Sequence, residues 1–482
     1  MVWNTLLCRS RPRGRPGRGE PGDRRPPVEP LERRALLSGA IEPAVASGTV
    51  VRTGPTLEIT GTEGNDQITL VVGGGVIIVT VNGVPSSELD PLVNDVIIDG
   101  LGGDDTIRVK RNTDNAIRIK GGEGDDVIRF GEPAGTLTSI GGADVPIHVE
   151  GDGGIDRVEF EDSARPEPAA YSVWSADVFV RVAVLDFTPA PLAPQVTAAN
   201  IEGVMVLAGA GDDVLRVNNP VSGVAVQLSG GPGDDTFEID GDGGPTVAPV
   251  EISAGAGVNA VQVAPGGLRV ALAGSADWAA LRVDPGSRLI LALNDGDVHR
   301  TRAVQLDSGA TLDLGRGSAV IDYTGAASPI GQIGQWLQQG RAGGSWLGAG
   351  ITSSVAAANP GTSLGYGEAS ELPPAVLSAV AAPLGGGAGA PIDLTSVVIR
   401  YTLDGDADLS RGVDIADFSR LAANFNAPSR WTGGDFNYDG GAGIADFSTL
   451  AARFNQVLPP TPVTIRPGGV WSRVYVDSGE LP

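Results

Sequence analysis

The sequence predicts a mainly β protein, with a parallel β-solenoid as its body and a small all-α pair of loop–helix units near its carboxyl terminus. Short turns rich in glycine and aspartate recur along residues 61–238, and each is followed by an apolar strand. The 482 residues include 71 Gly and 35 Pro but only 5% aromatic residues, a composition typical of turns and short strands. Two acidic segments between residues 401 and 456 are nearly superposable, and apolar residues at helical spacing follow each of them.

Shifts in composition divide the chain into five predicted segments. These are a basic leader at 1–44, the solenoid at 45–325, a Gly/Ala/Ser-rich connecting segment at 326–400, the loop–helix pair at 401–456 and a tail at 457–482. The solenoid is predicted to continue through residues 250–325, where short apolar runs persist although the Gly-Asp turns fade. Residues 331–340 predict a short helix with Ile333, Trp336 and Leu337 on one face.

The charge distribution argues against nucleic acid as a partner. The formal net charge is -24, although residues 1–40 carry nine arginines against four acidic residues. The remaining chain is therefore strongly acidic, and such a surface repels phosphates and favours cations. The single cysteine, Cys8, lies in the basic segment, so the body is predicted to contain no disulfide. Because no run of about 18 apolar residues occurs, no helix is predicted to span a membrane.

A short element in the leader resembles a known export-associated motif. Residues 31–37 read Leu-Glu-Arg-Arg-Ala-Leu-Leu, which is similar to the Leu-Glu-Pro-Arg-x-Leu-Leu element of large exported bacterial repeat proteins, with Arg33 in place of the family's proline. The resemblance implies an extracellular or cell-surface protein. The alternative is a plain disordered basic leader, because the apolar stretch of an ordinary secretory signal does not follow the basic residues.

A nine-residue pattern recurs in the body. Its best copy is residues 121–129 (GGEGDDVIR), and the other copies are residues 61–69, 100–108, 151–159, 208–216 and 230–238. Its glycines allow a tight turn, the sixth-position aspartate points into the turn, and the apolar residue two places later enters the core. The pattern resembles the nonapeptide of hemolysin-type (RTX-like) repeats, which bind calcium. The resemblance implies calcium ligands at the sixth-position aspartates, which are Asp66, Asp105, Asp126, Asp156, Asp213 and Asp235.

The spacing between these aspartates favours a solenoid over a tandem calcium roll. They lie 39, 21, 30, 57 and 22 residues apart, and separations near 21–30 match one rung of a parallel β-solenoid. Strands such as 76–79 and 224–228 are predicted to stack rung upon rung, with the Gly-Asp turns at one corner. Two interpretations then remain. The aspartates bind calcium between rungs, or they only cap their own turns, which is a common use of aspartate beside glycine.

Two segments 29 residues apart have the ligand spacing of a calcium loop. In each, oxygen-bearing side chains stand at positions 1, 3, 5 and 12 and position 7 offers a backbone carbonyl, as a hard cation with six to eight oxygen ligands requires. The predicted ligands are Asp406, Asp408, Ser410, Gly412 and Asp417 in the first loop and Asp435, Asn437, Asp439, Gly441 and Asp446 in the second. Position 6 calls for glycine, which Gly440 supplies in the second loop. Because Arg411 stands there in the first loop, the first loop is predicted to bind more weakly.

Each loop is followed by an apolar helical face. The faces consist of Phe418, Leu421, Ala422 and Phe425, and of Phe447, Leu450, Ala451 and Phe454. A loop and one following helix make half of an EF-hand, and the duplication of this unit resembles the dockerin family. Residues 326–400 likewise resemble the segment that joins solenoid to dockerin in large exported bacterial proteins.

The dockerin resemblance implies Ca2+ binding and docking onto a cohesin-like module or another protein receptor through residues 401–456. Loop positions 10 and 11, a polar pair in that family, are Ile-Ala in both loops, which puts a standard cohesin partner in doubt. The alternative interpretation is a packed helical hairpin that holds no metal.

The sequence favours a binding or structural protein over an enzyme. His148 and His299 are the two histidines, and neither stands beside a plausible nucleophile. Neighbouring carboxylates such as Asp104 and Asp105 are expected to point in different directions, so they do not form an acid/base pair. The prediction is an exported structural or adhesive repeat protein that is assembled or displayed through its calcium loops. The alternative is a carbohydrate-active β-helix protein, whose ligand would be a polysaccharide.

Overall fold

Strands form where apolar and polar residues alternate, because one side of a strand faces the core and the other faces solvent. In residues 67–73, for example, Ile68, Leu70 and Val72 are fully buried, while the residues between them are partly exposed. The protein is mainly β, as predicted. The computed structural model describes residues 48–459, apart from residues 74, 90, 91, 112–114, 132–136, 138–146, 177, 178, 186–195, 221, 222, 242–249, 292–295 and 385–390. The predicted leader with its export-like element, and most of the predicted tail, lie outside the described residues.

The strands and helices are as follows. The first half of the strands are Thr49–Thr53 (β1), Thr56–Thr62 (β2), Gln67–Gly73 (β3), Val76–Val81 (β4), Val84–Leu89 (β5), Asp95–Leu101 (β6), Thr106–Arg111 (β7), Ala116–Glu123 (β8), Val127–Gly131 (β9), Ile147–Gly153 (β10), Arg157–Glu161 (β11), Ala170–Ala176 (β12), Phe179–Leu185 (β13), Val196–Ala199 (β14) and Gly203–Leu207 (β15). The second half are Val214–Asn218 (β16), Ala225–Ser229 (β17), Thr236–Asp240 (β18), Val250–Ser253 (β19), Val258–Val263 (β20), Arg269–Leu272 (β21), Ala276–Val283 (β22), Arg288–Ile290 (β23), Val298–Thr301 (β24), Val304–Leu306 (β25), Thr311–Asp313 (β26), Ser318–Asp322 (β27), Gly350–Thr352 (β28), Thr362–Glu368 (β29) and Ser396–Leu403 (β30). The α-helices are Ile330–Arg341 (α1), Ser354–Ala358 (α2), Pro374–Ala381 (α3), Ile415–Ala423 (α4) and Ile444–Arg453 (α5).

Two long, mostly parallel sheets contain these strands. Within the described residues the sheets have 17 and 13 strands, and successive strands along the chain alternate between them apart from a few local departures. In the first sheet β6 pairs in parallel with β2 and β8, and in the second β7 pairs in parallel with β3 and β9. The pattern continues to β27 in the first sheet and β28 in the second. Such long parallel sheets are compatible with the predicted solenoid.

The prediction that residues 76–79 stack as a rung is wrong. They belong to β4, which pairs antiparallel with β3 and with β5 at the edge of the second sheet. The Asn82-Gly83 turn joins β4 to β5, and its two residues both have positive φ, 50° and 81°, as a tight hairpin turn requires. This inserted hairpin accounts for the 39 residues between Asp66 and Asp105. The other quoted strand, residues 224–228, largely coincides with β17, which does stack in parallel with its neighbours.

The core contains buried apolar residues from strands of both sheets. The apolar residue two places after each turn aspartate is buried, as predicted, and these residues are Ile68, Ile107, Ile128, Val158, Leu215 and Phe237. Aromatic rings fill wider parts of the core. Phe130 stacks on Phe160 with ring centroids 5.3 Å apart, and Phe237 meets Trp278 edge-on at 6.3 Å.

Residues 326–403 contain regular structure that continues the body. The predicted helix at 331–340 is confirmed as α1, with Ile333 and Leu337 buried and Trp336 half-buried. The last strand of the segment, β30, pairs antiparallel with β27 and β29 and runs past the predicted boundary at residue 400. A strand of the first sheet therefore leads directly into the first predicted calcium loop. Among the described residues, no helix has the length and apolar character needed to cross a membrane.

Candidate metal centre and aspartate ladder

Loop one, residues 406–417, follows β30, ends in the first turn of α4 and brings its acidic side chains together. One carboxylate oxygen from each of Asp406, Asp408 and Asp417 lies within 4.8 Å of the others. Within the part of the chain that the structure describes, this is the one group of three or more histidine, cysteine or acidic side chains that meets this spacing. Asp406 and Asp417 are fully buried and Asp408 nearly so. Three converging carboxylates in a buried place form a donor set that fits a hard cation.

The two loops share one backbone hydrogen-bonding pattern. The carboxylate at position 12 accepts from the N–H groups of positions 2 and 3, at 2.7 and 3.2 Å for Asp417 and at 2.8 and 3.1 Å for Asp446. The carboxylate at position 1 accepts from the N–H groups of positions 5 and 6, at 3.0 and 2.7 Å for Asp406 and at 3.1 and 3.0 Å for Asp435. Both loops are therefore wrapped around the carboxylates that the spacing predicted as ligands.

The backbone conformation of the two loops also agrees position by position. Position 6 has positive φ in both, 71° at Arg411 and 97° at Gly440. Position 4 has positive φ in both as well, 61° at Leu409 and 62° at Tyr438. This conformation is unfavourable for residues with a Cβ, so loop one holds its shape in spite of the arginine that departs from the expected glycine.

The side chain at position 3 accepts from the N–H of position 5 in both loops, through Asp408 Oδ1 at 3.0 Å in loop one, whereas the position-5 side chains are arranged differently. In loop two, Asn437 Oδ1 accepts from Asp439 N at 2.7 Å, and Asp439 Oδ1 accepts from Gly441 N at 3.1 Å. In loop one, Ser410 Oγ donates to the Gly412 carbonyl at 3.4 Å. Asp439 is exposed, so loop two does not gather three buried carboxylates as loop one does. The predicted ranking of loop two above loop one stays a prediction, because glycine at position 6 and carboxylate convergence favour different loops.

Burial makes the negative charge of these loops unfavourable without a cation. Desolvation raises the pKa of Asp406 well above its usual range, and it raises the pKa values of Asp417 and Asp435 to about 6. Neighbouring carboxylates raise them further, Asp417 acting on Asp406 and Asp446 on Asp435. A bound divalent cation would offset both effects, since it supplies the opposite charge at the place where the carboxylates converge.

Helices α4 and α5 expose a repeated apolar surface. The residues that anchor the helices are Leu421 and Leu450, which are buried. Six other large apolar residues, on the helices and just after them, stay exposed, and together they form what we call the apolar helix surface: Ile415, Phe418, Phe425, Ile444, Phe447 and Phe454. Phe418 and Phe447 meet edge-on with ring centroids 6.4 Å apart, yet 36% and 38% of their surfaces remain accessible. The surface therefore spans both helices.

The sixth-position aspartates of the Gly-Asp turns line up in a column that we call the aspartate ladder. Each backbone N–H donates to the side chain of the next rung: Asp66 N to Asp105 Oδ1 at 2.8 Å, Asp105 N to Asp126 Oδ1 at 2.7 Å, and Asp126 N to Asp156 Oδ1 at 2.8 Å. Farther along, Asp213 N donates to Asp235 Oδ1 at 3.0 Å. These aspartates cap the turn of the neighbouring rung rather than only their own. All six sixth-position aspartates are buried.

Sequence reasoning missed three members of this arrangement. The Asp156 N–H donates to Glu202 Oε2 at 2.8 Å, and the Asp235 N–H donates to Asn259 Oδ1 at 2.8 Å. Glu202 and Asn259 thus take the aspartate's place on rungs without a recognisable nonapeptide. Ala169 N donates to Asp213 Oδ1 at 2.7 Å where an inserted hairpin interrupts the order. No local sequence signal marks these positions, because only the stacking register brings them to the column.

A second, outer ladder runs beside the first in the opposite direction. Asp104 N donates to Asn65 Oδ1 at 2.9 Å, Asp125 N donates to Asp104 Oδ1 at 3.0 Å, and Ile155 N donates to Asp125 Oδ1 at 2.9 Å. The adjacent carboxylates of Asp104 and Asp105 therefore serve different ladders. They do not converge on one point, as an acid/base pair acting on a substrate would need.

The glycines of the turns are required by the stacking of rungs. Gly124 has φ 135°, and a Cβ there would lie 2.3 Å from the carbonyl oxygen of Gly103 on the preceding rung. At the first position of the same turn, a Cβ on Gly121 would lie 2.3 Å from Asp126 Oδ2. The motif is thus explained by close backbone approach between rungs and by room for the aspartate.

Within the described residues, the second carboxylate oxygen of several ladder aspartates makes no hydrogen bond. This holds for the buried Oδ2 atoms of Asp105, Asp126, Asp156 and Asp235. Desolvation raises the pKa values of Asp105, Asp156 and Asp235 to about 7 and that of Asp126 to about 6. It also raises the pKa of Asp213 to about 6. These carboxylates either take up protons near neutral pH or are balanced by cations, so calcium between rungs stays a prediction.

The two histidines occupy ordinary structural positions. His299 is fully buried in the core, where its Nδ1 accepts from Trp278 Nε1 at 3.1 Å, and desolvation lowers its pKa to about 4. His148 Nδ1 lies 2.7 Å from Thr197 Oγ1 on the outer side of the first sheet.

No family model matches this chain, and no curated protein or solved structure is significantly similar to it.

Proposed function

We propose that this chain is an exported, calcium-binding structural or adhesive repeat protein whose body is a parallel β-solenoid. Two features support the solenoid. Consecutive strands alternate between two parallel sheets, and the aspartate ladder connects successive turns at one corner. A repeat body of this kind stacks each unit on its neighbours and offers an extended surface.

The observation that carries the calcium proposal is the shared geometry of the two loops. Buried carboxylates at positions 1 and 12 face inward in both loops, and the same backbone N–H groups hold them. In loop one, the third carboxylate, Asp408, completes a group within 4.8 Å. Calcium accepts oxygen ligands in flexible arrangements of six to eight, so carboxylates, Asn437 and the position-7 carbonyls of Gly412 and Gly441 are suitable donors.

The apolar helix surface supports assembly or display through a protein receptor. Large exposed apolar residues that recur at matching positions of two helices are typical of a docking surface rather than of a solvent-facing one. The exposed Ile415 and Ile444, at loop position 10, add to this surface. A receptor with an apolar groove, in a dockerin-like mode but without the usual polar pair, fits this chemistry. Export to the cell surface remains part of the proposal through the leader motif.

Calcium titration of the full chain by calorimetry tests the metal site. We expect binding in the wild type and a reduced number of sites in Asp406→Ala and Asp435→Ala, while Asp240→Ala, which alters an exposed aspartate outside the loops, leaves the titration unchanged. A wild-type chain that takes up no calcium would refute the proposal. If Asp435→Ala is the milder of the two loop variants, the predicted ranking of the loops is wrong.

Receptor docking is tested separately with the double variant Phe418→Ser/Phe447→Ser. Because these side chains ligate nothing, we expect its calcium titration to match the wild type, while binding to immobilised cohesin-type modules or to the native cell surface is lost. Equal binding by the double variant would exclude the apolar helix surface as the docking site.

A further inference from the structure

The loop–helix pair is attached to the body through the calcium loops themselves. The carbonyl of Leu409 in loop one accepts from Arg400 Nη1 on β30 at 2.7 Å. In loop two, the carbonyl of Asn437 accepts from Arg341 Nη1 at 3.2 Å, and the carbonyl of Tyr438 accepts from Gln338 Nε2 at 2.8 Å. Both donors to loop two lie on α1, which belongs to the body. Side chains of the body therefore hold the backbone between the predicted ligands.

The residue at position 4 of each loop is inserted into the body. Leu409 is fully buried, and a Cβ on Gly365 of β29 would lie 2.3 Å from its Cδ2 atom. Tyr438 stacks on Tyr366 with ring centroids 5.9 Å apart, meets Trp346 edge-on at 6.1 Å, and donates its hydroxyl to the carbonyl of Leu364. Position 4 lies between the ligands at positions 3 and 5. Its insertion therefore requires the same local backbone shape as the ligand loop.

Arg411 supplies a further connection. At position 6 it replaces the glycine that a calcium loop calls for, and its Nη2 atom lies 3.5 Å from the carbonyl oxygen of Arg316 in the turn between β26 and β27. Trp431 joins the two half-units to each other, since its Nε1 donates to the carbonyl of Asp406 at 2.6 Å and its ring meets Phe436 of loop two edge-on. The departure of loop one from the expected glycine thus coincides with a contact to the body.

We propose that the loop–helix pair is the carboxyl-terminal cap of the body, and that cation binding in the two loops is thermodynamically coupled to docking of this cap. The proposal rests on the proposed calcium binding. A cation fixes the backbone of positions 3 to 5, and the same backbone must be fixed for Leu409 and Tyr438 to insert. Coupling is reciprocal, so contacts on the body side raise the affinity of the loops and a bound cation stabilises the last turns of the body.

The test uses the full chain and changes only the body side of the contact. In Gln338→Ala/Arg341→Ala every predicted ligand is kept, but the two donors to loop-two carbonyls are removed. We expect its calcium affinity, measured by calorimetry, to fall by about fivefold or more, within the range usual for coupled sites. Gln335→Ala, an exposed change on the same helix, should bind calcium like the wild type. Tyr438→Phe, which removes only the hydroxyl contact to Leu364, should weaken binding in the same direction.

Hydrogen exchange provides a second measurement. Calcium should slow amide exchange in α1 and β29 as well as in the loops, and this spread should shrink in the double variant. The coupling would be overturned if the Gln338→Ala/Arg341→Ala and Tyr438→Phe variants bound calcium with wild-type affinity and calcium slowed exchange only in residues 404–458. The calcium site itself would then remain supported. A wild-type chain that does not bind calcium would overturn both proposals.

Discussion

Replacing Asp126 by asparagine should make the stability of the protein less dependent on pH, whereas replacing it by alanine should break the aspartate ladder. Asp126 Oδ1 accepts from the buried Asp105 N–H at 2.7 Å, and an asparagine oxygen can accept equally well. The structure already contains this substitution at another rung, where Asn259 Oδ1 accepts from Asp235 N at 2.8 Å. The asparagine variant therefore keeps the ladder hydrogen bond, removes the charge and adds an amide N–H in place of Oδ2.

The magnitude follows from the charge of a buried group. Burial raises the pKa of Asp126 from 3.8 to about 6, so the folded state binds the proton more tightly than the unfolded state. The stability from this group is present below pH 3.8 and is lost as pH rises through 6. A shift of this size corresponds to at most about 3 kcal/mol at pH 8. Asp126→Asn removes this loss of folding stability at high pH. Its own side-chain amide N–H, if buried without a partner, costs roughly 1–3 kcal/mol at every pH.

The assay is chemical denaturation of both proteins in chelator at pH 5 and pH 8, monitored by circular dichroism. We expect the stability of Asp126→Asn relative to wild type to rise between pH 5 and pH 8 by about 1 kcal/mol, because about half of the full effect already lies below pH 5. Asp126→Ala should in addition lose exchange protection at the Asp105 amide, which then has no acceptor. A relative stability of the asparagine variant that falls with pH would refute the reasoning. It would show that the ionised carboxylate itself stabilises the folded state.

Three further outcomes follow from the same geometry. In chelator, the wild-type chain should show a higher Tm at pH 5 than at pH 8. The pKa values of Asp105, Asp156 and Asp235 are raised to about 7, so these groups favour the folded state only while they are protonated. A Tm that rises from pH 5 to pH 8 would contradict this prediction. Gly124→Ala should lower stability by more than Gly223→Ala. Both glycines have positive φ, which costs an alanine about 1–2 kcal/mol, but only at Gly124 would the new Cβ meet the backbone of the preceding rung. Equal losses in denaturant midpoint would argue against the close rung contact. The gain in Tm on adding calcium should shrink below pH 6. There Asp417 and Asp435, with pKa values raised to about 6, bind protons in competition with the cation. A gain that is constant from pH 8 to pH 5 would exclude these carboxylates as ligands.

The sequence by itself determined the local elements of this protein. Alternating apolar residues predicted the strands, and the Gly-Asp pattern correctly placed Ile68, Ile107 and Ile128 in the core, because burial and turn formation depend on residues only a few places apart. The loop spacing likewise identified the positions whose carboxylates face inward. Each of these features depends on short stretches of chain, whose periodicity is visible in the sequence.

Only the tertiary structure decided how these elements meet. The ladder that links Asp105 to Asp126 and Asp156 to Glu202 depends on which residues of stacked strands lie side by side. Inserted hairpins such as β3–β4 change the number of residues between successive turns, and the sequence of a single turn does not show this number. The composition of residues 326–400 predicted a connecting segment between the body and the two predicted calcium loops. In the structure, Tyr438 of loop two instead packs directly against Tyr366 of the body. Contacts of this kind are set by the packing of whole elements. A local pattern therefore predicts a ligand's neighbours in the chain but not the surface against which the ligand loop is held.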